Sequence, residues 1–367
     1  MKVLALASYP IEMAATRYRL YQFVAPLKAR GITLTIRPFI DSNLSASMYK
    51  RAEWPRTTVG LMRATFRRLR EAWQAKAADV LLVQREAMMF GPPFIEWLAS
   101  RISRCPMVLD LDDATYVSYT SPTYGRLGSA LKFFGKTDHL IRWAKVVICG
   151  NRTIAEYVSR KGARSVVIPT VVDTESFRPA AHTFEKDLVV LGWIGTHSTF
   201  PFLERLFPIL RELARTHPFK LKVVGAGKSD IDIPGVEVES LEWSLAREIE
   251  DFQSFDIGLY PMDTERYGSE WVSGKSGFKA IQYMAVGLPF VMTPVGVCAE
   301  IGEGGVTHYP ATSEAEWQDA LRKLISDREL RGRMGQAGRM HALAHYTVEA
   351  QTDKLVHALQ EAVGQTT

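Results

Sequence analysis

LVVLGWIGTHSTFPFLERL, residues 188–206, holds one complete structural unit of this chain. The apolar run 188–194 reads as a buried strand and closes on Gly195. Four polar residues follow, and an apolar pattern of helical period begins near 200. A strand apolar on both faces that passes directly into a helix is the mark of a parallel sheet covered by helices. The same alternation recurs on either side. Strands are predicted at 3–8, 32–39, 80–84, 107–111, 146–150 and 166–169 before it, and at 221–227, 236–240, 255–261 and 289–294 after it. Helices are predicted over 16–30, 200–216, 244–254, 275–286, 313–326 and 346–362. Two consecutive Rossmann-like α/β domains follow, joined through the Pro- and Asp-bearing stretch 169–187. Ligands of such sheets sit beyond the carboxyl ends of the strands, so the residues after each strand are the ones to weigh.

Composition supports a soluble globular protein: 367 residues, 47% hydrophobic and 23% charged. Cys105, Cys149 and Cys298 are dispersed and show no paired spacing, which fits a reducing compartment. The opening MKVLALASYP is too short in apolar length for a signal segment, and no run reaches a membrane span of about 18 residues. A cytoplasmic protein is therefore expected. Charge is uneven. Residues 1–165 carry 26 Lys+Arg against 12 Asp+Glu (+14), and the remainder 19 against 28 (−9). A basic first half implies an anionic partner there.

Two segments of the second half suit phosphate. In GWIGTHSTF, Gly195, Thr196, His197, Ser198 and Thr199 lie between strand and helix, with Ser198 or Thr199 as the expected cap. Backbone N–H groups and the positive helix end favour an anion there, although an ordinary Ser/Thr cap has the same appearance. In GKSGFKAIQYMAVGLPFVMTPVG (274–296), Gly274, Ser276 and Gly277 flank Lys275, and Lys279 follows. Two cations in the first turn of a helix oppose its dipole and repel each other, a conflict that a bound diphosphate would relieve. Gln282, on the same helix, is placed for a ribose hydroxyl. Solvated lysines on an exposed helix face are the plainer alternative.

These residues resemble the signature segment of family 4 retaining glycosyltransferases, which have the GT-B fold, two Rossmann-like domains facing across a cleft. IPTVVDTESFRP is similar to that family's interdomain passage, and GWIGTHST, LKVVGAG, FDIGLYP and MGQAGRMHALAHYTVEA occur in matching order. The resemblance is close in the C-terminal half and limited to strand–helix layout over the first 160 residues. It implies an acceptor-side domain at 1–170, with the terminal helix of about 346–367 packing back on it, and a nucleotide-sugar domain at 171–345. Two departures stand out. Where the family commonly has two Glu eight positions apart, this chain has Gly274 and Gln282. The Arg and Lys common after the first strand of the second domain are absent from GTHSTF, so Lys275 and Lys279 are expected to supply that charge. The base is expected near Gly225, Gly227, Glu242 and Trp243.

In the first domain, MVLDLDDATYV sets Asp110, Asp112 and Asp113 at a strand end. Such a run invites Mg²⁺ or Mn²⁺. The GT-B resemblance instead implies work without a metal, with Asp112 or Asp113 touching sugar hydroxyls or the acceptor nucleophile; a helix cap is the structural alternative. Arg17 and Arg19, after the first strand, and Gln84, Arg85 and Glu86, after the third, are acceptor-side candidates, with a surface Arg85–Glu86 bridge as the plainer reading. Within VGLMRATFRRLREAWQAK (59–76), Val59, Met62, Phe66, Leu69 and Trp73 recur at helical spacing, with Arg63, Arg67, Arg68 and Arg70 on the other faces. Such a helix packs on a domain through its stripe, or lies on an anionic membrane; the two readings are compatible.

The expectation is transfer of a hexosyl-type sugar from a nucleotide diphosphate sugar to a hydroxyl, with retention and without metal or other cofactor. The acceptor is expected to be a lipid-linked or cell-surface glycan precursor for polysaccharide biosynthesis, with peripheral contact to the inner face of a membrane and no nucleic-acid partner. A nonhydrolysing nucleotide-sugar epimerase of the same fold, or a non-catalytic binding protein, are the alternatives.

Overall fold

The computed structural model describes residues 1–48, 51–103, 105–118, 125–180 and 188–365. Part of the expected interdomain joint, 181–187, lies outside the described residues. The chain forms two compact units. The first is Met1–Thr170 with Gly274–Ser276 and Val348–Thr367; the second is Val171–Ser273 with Gly277–Thr347.

The first unit is built on a six-stranded sheet: β1 (Lys2–Ala7), β2 (Thr33–Pro38), β3 (Val80–Gln84), β4 (Met107–Leu111), β5 (Val146–Cys149) and β6 (Ser165–Val167). All pairs are parallel, in the order β2-β1-β3-β4-β5-β6. β3, β4 and β5 are buried throughout, and apart from Gln84 and Asp110 at the carboxyl edge their residues are apolar, as a strand covered on both faces requires. The register sets Ala7, Gln84 and Asp110 side by side at the carboxyl edge.

Helices flank this sheet. The expected helix over 16–30 is instead two pieces, α1 (Ala14–Arg19) and α2 (Val24–Ala29), with a tight turn at Tyr21–Phe23 between them. Pro26 lies within the first turn of α2, where its missing N–H costs nothing. α3 (Trp54–Gln74) starts five residues earlier than the stripe suggested. Of that stripe, Leu69 packs against the core, but the rest faces outward. The helix buries Thr57, Ala64, Arg68, Glu71 and Ala72, and leaves Val59, Met62, Phe66 and Trp73 exposed. Arg68 fixes this orientation: it is fully buried, donates to the carbonyls of Arg37 (2.9 Å) and Ala7 (2.8 Å), and pairs with Glu71 at 3.0 Å. With both terminal nitrogens bonded in this way, the buried guanidinium turns the helix around its polar side. α4 (Phe94–Ser103) and α5 (Arg152–Arg160) follow, and α6 (Val348–Ala362) closes the unit. α6 buries Leu355, Ala358 and Leu359 and is tied at its ends by Arg30 to Glu349 and Asp353, and by Arg164 to Glu361.

The second unit has its own parallel sheet: β7 (Val189–Ile194), β8 (Phe219–Val224), β9 (Glu237–Leu241), β10 (Ile257–Tyr260), β11 (Phe290–Met292) and β12 (Tyr309–Pro310), in the order β12-β11-β10-β7-β8-β9. Gly192 and Gly258 leave room on this sheet: a Cβ at either would meet the Phe255 ring at 1.9 Å or the Tyr283 ring at 2.8 Å. Tyr283 fills that space and donates to the Leu259 carbonyl at 3.0 Å, which fixes the helix Phe278–Ala285 against the sheet. Burial in this apolar layer pushes the Tyr283 phenol up, so it stays a donor.

Candidate functional site

The carboxyl edge of the second sheet gathers the loops assigned to the donor. Gly225, at φ +81°, approaches so closely that a Cβ there would meet the Gly195 carbonyl oxygen at 2.3 Å and the Trp243 Cβ at 3.3 Å. A Cβ at Gly227, at φ +70°, would lie 3.5 Å from the His197 Cβ. Three separated stretches, 195–199, 225–227 and 242–243, are thereby in contact. The glycines are what permit it: both adopt left-handed backbone, and Gly225 has no room for a side chain.

Within this cluster the anion cradle is smaller than the sequence suggested. The expected helix over 200–216 is split into Phe200–Glu204 and Phe207–Ala214, because Pro208 lacks the N–H a continuous helix needs. A five-residue helix has a weak dipole. Thr199 is the cap residue but makes no side-chain cap bond. The turn also spends its donors internally. The Gly195 N–H goes to the Val224 carbonyl, the Thr196 N–H to Thr199 Oγ1, and the Thr199 and Phe200 N–H groups to the Thr196 carbonyl. Thr196 and Ser198 hydroxyls share a 2.8 Å bond. Glu242 is exposed, and its carbonyl accepts from Arg247 at 2.5 Å.

The lysine pair is not a helical i, i+4 pair. Gly277, at φ +64°, caps a helix that begins only at Phe278, so Lys275 precedes it and Lys279 alone occupies the first turn. A Cβ at Gly277 would strike Ile301 at 2.3 Å. Lys279 lies over the Tyr260 ring at 5.1 Å. Gln282 is buried in the same helix.

Lys275 belongs to the first unit with Gly274 and Ser276. Asn151 caps α5 through its carbonyl, accepting from the Ile154 N–H at 2.9 Å. Its amide donates to the carbonyls of Gly274 (3.4 Å) and Lys275 (3.0 Å). Gly274 has no room for a Cβ, which would lie 2.2 Å from that of Ala114. Lys275 Nζ then reaches Asp113 at 3.0 Å, and Ser276 is half-buried beside it.

Asp113 is the outermost of three carboxylates, each bonded to a cation. Buried Arg19 forks onto buried Asp110 through Nε (3.0 Å) and Nη2, and its third nitrogen donates to the Ile168 carbonyl at 2.7 Å. Arg85 forks onto Asp112 at 2.5 and 2.7 Å and approaches Asp113 at 3.8 Å. Burial opposes ionisation of Asp112, but Arg85 outweighs it and holds the carboxyl below its usual range. Arg85 does this from φ 60°, a left-handed conformation unusual for a side-chain-bearing residue. It does not pair with Glu86. Glu86 turns inward to Lys136 at 2.6 Å, with both groups buried. A metal at the Asp run would have to displace three cationic partners.

The remaining acceptor-side candidates serve the loop itself. Arg17 donates to the carbonyls of Ile11 and Glu12, both at 2.9 Å. Gln84 is buried; its carbonyl accepts from the Thr16 hydroxyl at 3.3 Å, while its amide nitrogen has no hydrogen-bond partner among the described residues. Sequence reasoning missed Asn151 and Lys136. Asn151 was the findable one, since it directly follows the strand ending VVICG.

Comparison with known proteins agrees with this framework. Residues 185–327 match a family model described as Glycosyl transferases group 1. A search of curated proteins finds no match. Solved structures align over nearly the whole chain. A glycosyltransferase from Rickettsia africae has TM-score 0.70 at 13% identity, covering 100% of this chain and 99% of its own. A sucrose-phosphate synthase from Thermosynechococcus elongatus has TM-score 0.68 at 13% identity, with the same coverage. Anabaena HepE in complex with UDP-glucose has TM-score 0.63 at 16% identity, covering 98% and 99%. The fold is that of the GT-B glycosyltransferases.

Proposed function

We propose that this chain transfers a hexosyl-type sugar from a nucleotide diphosphate sugar to a hydroxyl, with retention at the anomeric carbon and without a metal. The observation that carries the reading is the meeting of Gly195, Gly225 and Trp243, with Gly227 against His197, at the carboxyl edge of the second sheet. That edge is where doubly wound sheets take nucleotides. The match of residues 185–327 to Glycosyl transferases group 1 covers the same segment, and the similar HepE structure is described as holding UDP-glucose.

In this reading the glycine loops receive the nucleotide, with Trp243 against the base and Glu242 and Gln282 toward the ribose. Thr196, His197 and Ser198 receive phosphate oxygens. Lys279 and Lys275 meet the charge that develops on the departing diphosphate, which they stabilise more in the transition state than in the ground state. Lys275 must first exchange its bond to Asp113. Asp112, gripped by two guanidinium N–H groups, positions Arg85; the half-exposed Asp113 is the carboxylate that contacts the acceptor. The acceptor class is a lipid-linked or cell-surface glycan precursor.

A panel of nucleotide diphosphate sugars screened by thermal shift tests the reading. One or a few should raise the melting temperature, and the stabilising one should be consumed when a hydroxyl acceptor is supplied. Turnover should persist in EDTA. No stabilising nucleotide sugar across the panel, or complete loss in EDTA restored by Mn²⁺, would overturn it.

A further inference from the structure

We infer that the outward face of α3 docks the first unit onto an anionic lipid surface. The helix carries Val59, Met62, Phe66 and Trp73 on its solvent side, and these are 44%, 53%, 70% and 59% exposed. At 3.6 residues per turn the four fall within about 60° of one another, a single continuous stripe. Large side chains this exposed are normal when isolated, but in a row they need a partner.

The flank of the stripe selects the partner. Arg56, Arg63 and Arg70 are exposed along one side of it, and Lys76 lies over the Trp73 ring at 3.6 Å. The one acidic residue of α3, Glu71, is buried and paired with Arg67 and Arg68, so it neutralises nothing on the outer face. An apolar row edged by cations matches the boundary of an anionic bilayer, where acyl chains take the stripe and headgroup phosphates take the arginines. A second copy pressed on the same face would crowd arginines from both chains with no exposed acid of this helix to answer them. The neighbouring helix α4 adds Phe94 and Trp97, both exposed and stacked at 5.9 Å, and aromatic rings of this kind favour the headgroup level. The helix lies on the surface and does not cross it: among the described residues no helix is long and apolar enough to span a membrane.

The test is flotation of the purified full chain with vesicles of phosphatidylcholine alone or mixed with phosphatidylglycerol. The protein should float with the mixed vesicles, far less with the neutral ones, and detach as salt rises. Arg63→Gln with Arg70→Gln should weaken partitioning roughly thirtyfold. Met62→Ser with Phe66→Ser should weaken it at least tenfold, and all of these exposed changes should leave the melting temperature unaltered. Failure of the wild type to float with anionic vesicles at low salt overturns the inference. So does binding that survives both double substitutions, or a dimer in sedimentation that Phe66→Ser dissociates.

Discussion

Replacing Arg85 by Met isolates the energetics of the carboxyl edge. The substitution keeps a side chain of similar reach on the same left-handed backbone, so the strain at φ 60° is unchanged and only the guanidinium is lost. Asp112, whose side chain is 6% exposed, then keeps a buried charge without its two short bonds. Breaking a buried pair on one side costs about 3–5 kcal/mol. Arg85 is itself 22% exposed, and solvent screening lowers the expectation to about 2–3 kcal/mol. For a unit of this size that is a fall of about 5–10 °C in melting temperature at pH 7. The pH dependence has a definite sign. Asp112 titrates below its unfolded value, so its pairing stabilises the wild type above about pH 4 and is lost as pH falls through the lower folded value. In the variant that depression is gone, so the two proteins should converge on acidification. Adding Asp112→Asn should restore much of the loss, because it removes the stranded charge. Thermal scans from pH 7 to pH 3 on the wild type and the two variants read all of this. A single variant as stable as wild type at pH 7, or a gap that widens toward acid, would refute the reasoning.

Two further outcomes are expected. Gly225→Ala should destabilise the second unit by at least about 1–2 kcal/mol from its left-handed backbone alone. The contact with the Gly195 carbonyl at 2.3 Å should force the two loops apart, so nucleotide-sugar stabilisation in thermal shift should fall more than the apo melting temperature does. Lys279→Ala should lower the turnover number by about 10²–10³, the loss typical of a missing charge-stabilising donor, with circular dichroism unchanged; wild-type turnover would remove Lys279 from the transition state.

Much of the fold was legible because burial dictates the pattern. VLLVQ, MVLDL and VVIC are mostly apolar without alternation, polar only at Gln84 and Asp110 near the carboxyl edge, and a strand covered on both faces supports that pattern. Helix limits were less legible where a single residue overrides propensity: Pro26 and Pro208 divide helices that periodicity joins, and Gly277 starts its helix three residues late. The donor loops were legible as positions after strands, but not their mutual contact, which needs the close approach of Gly225 to Gly195.

What the sequence determined by itself was the order of strands and helices and the residues at the carboxyl edges, since period and apolar content are local properties. Which partner each charge takes was decided by tertiary structure. Asp110, Asp112 and Asp113 lie within four residues, yet their cations come from Arg19, Arg85 and Lys275, far away in the chain. The orientation of α3 likewise turned on the buried Arg68, because a buried charge bonded through both terminal nitrogens outweighs an apolar stripe that can remain in contact with solvent or a lipid surface.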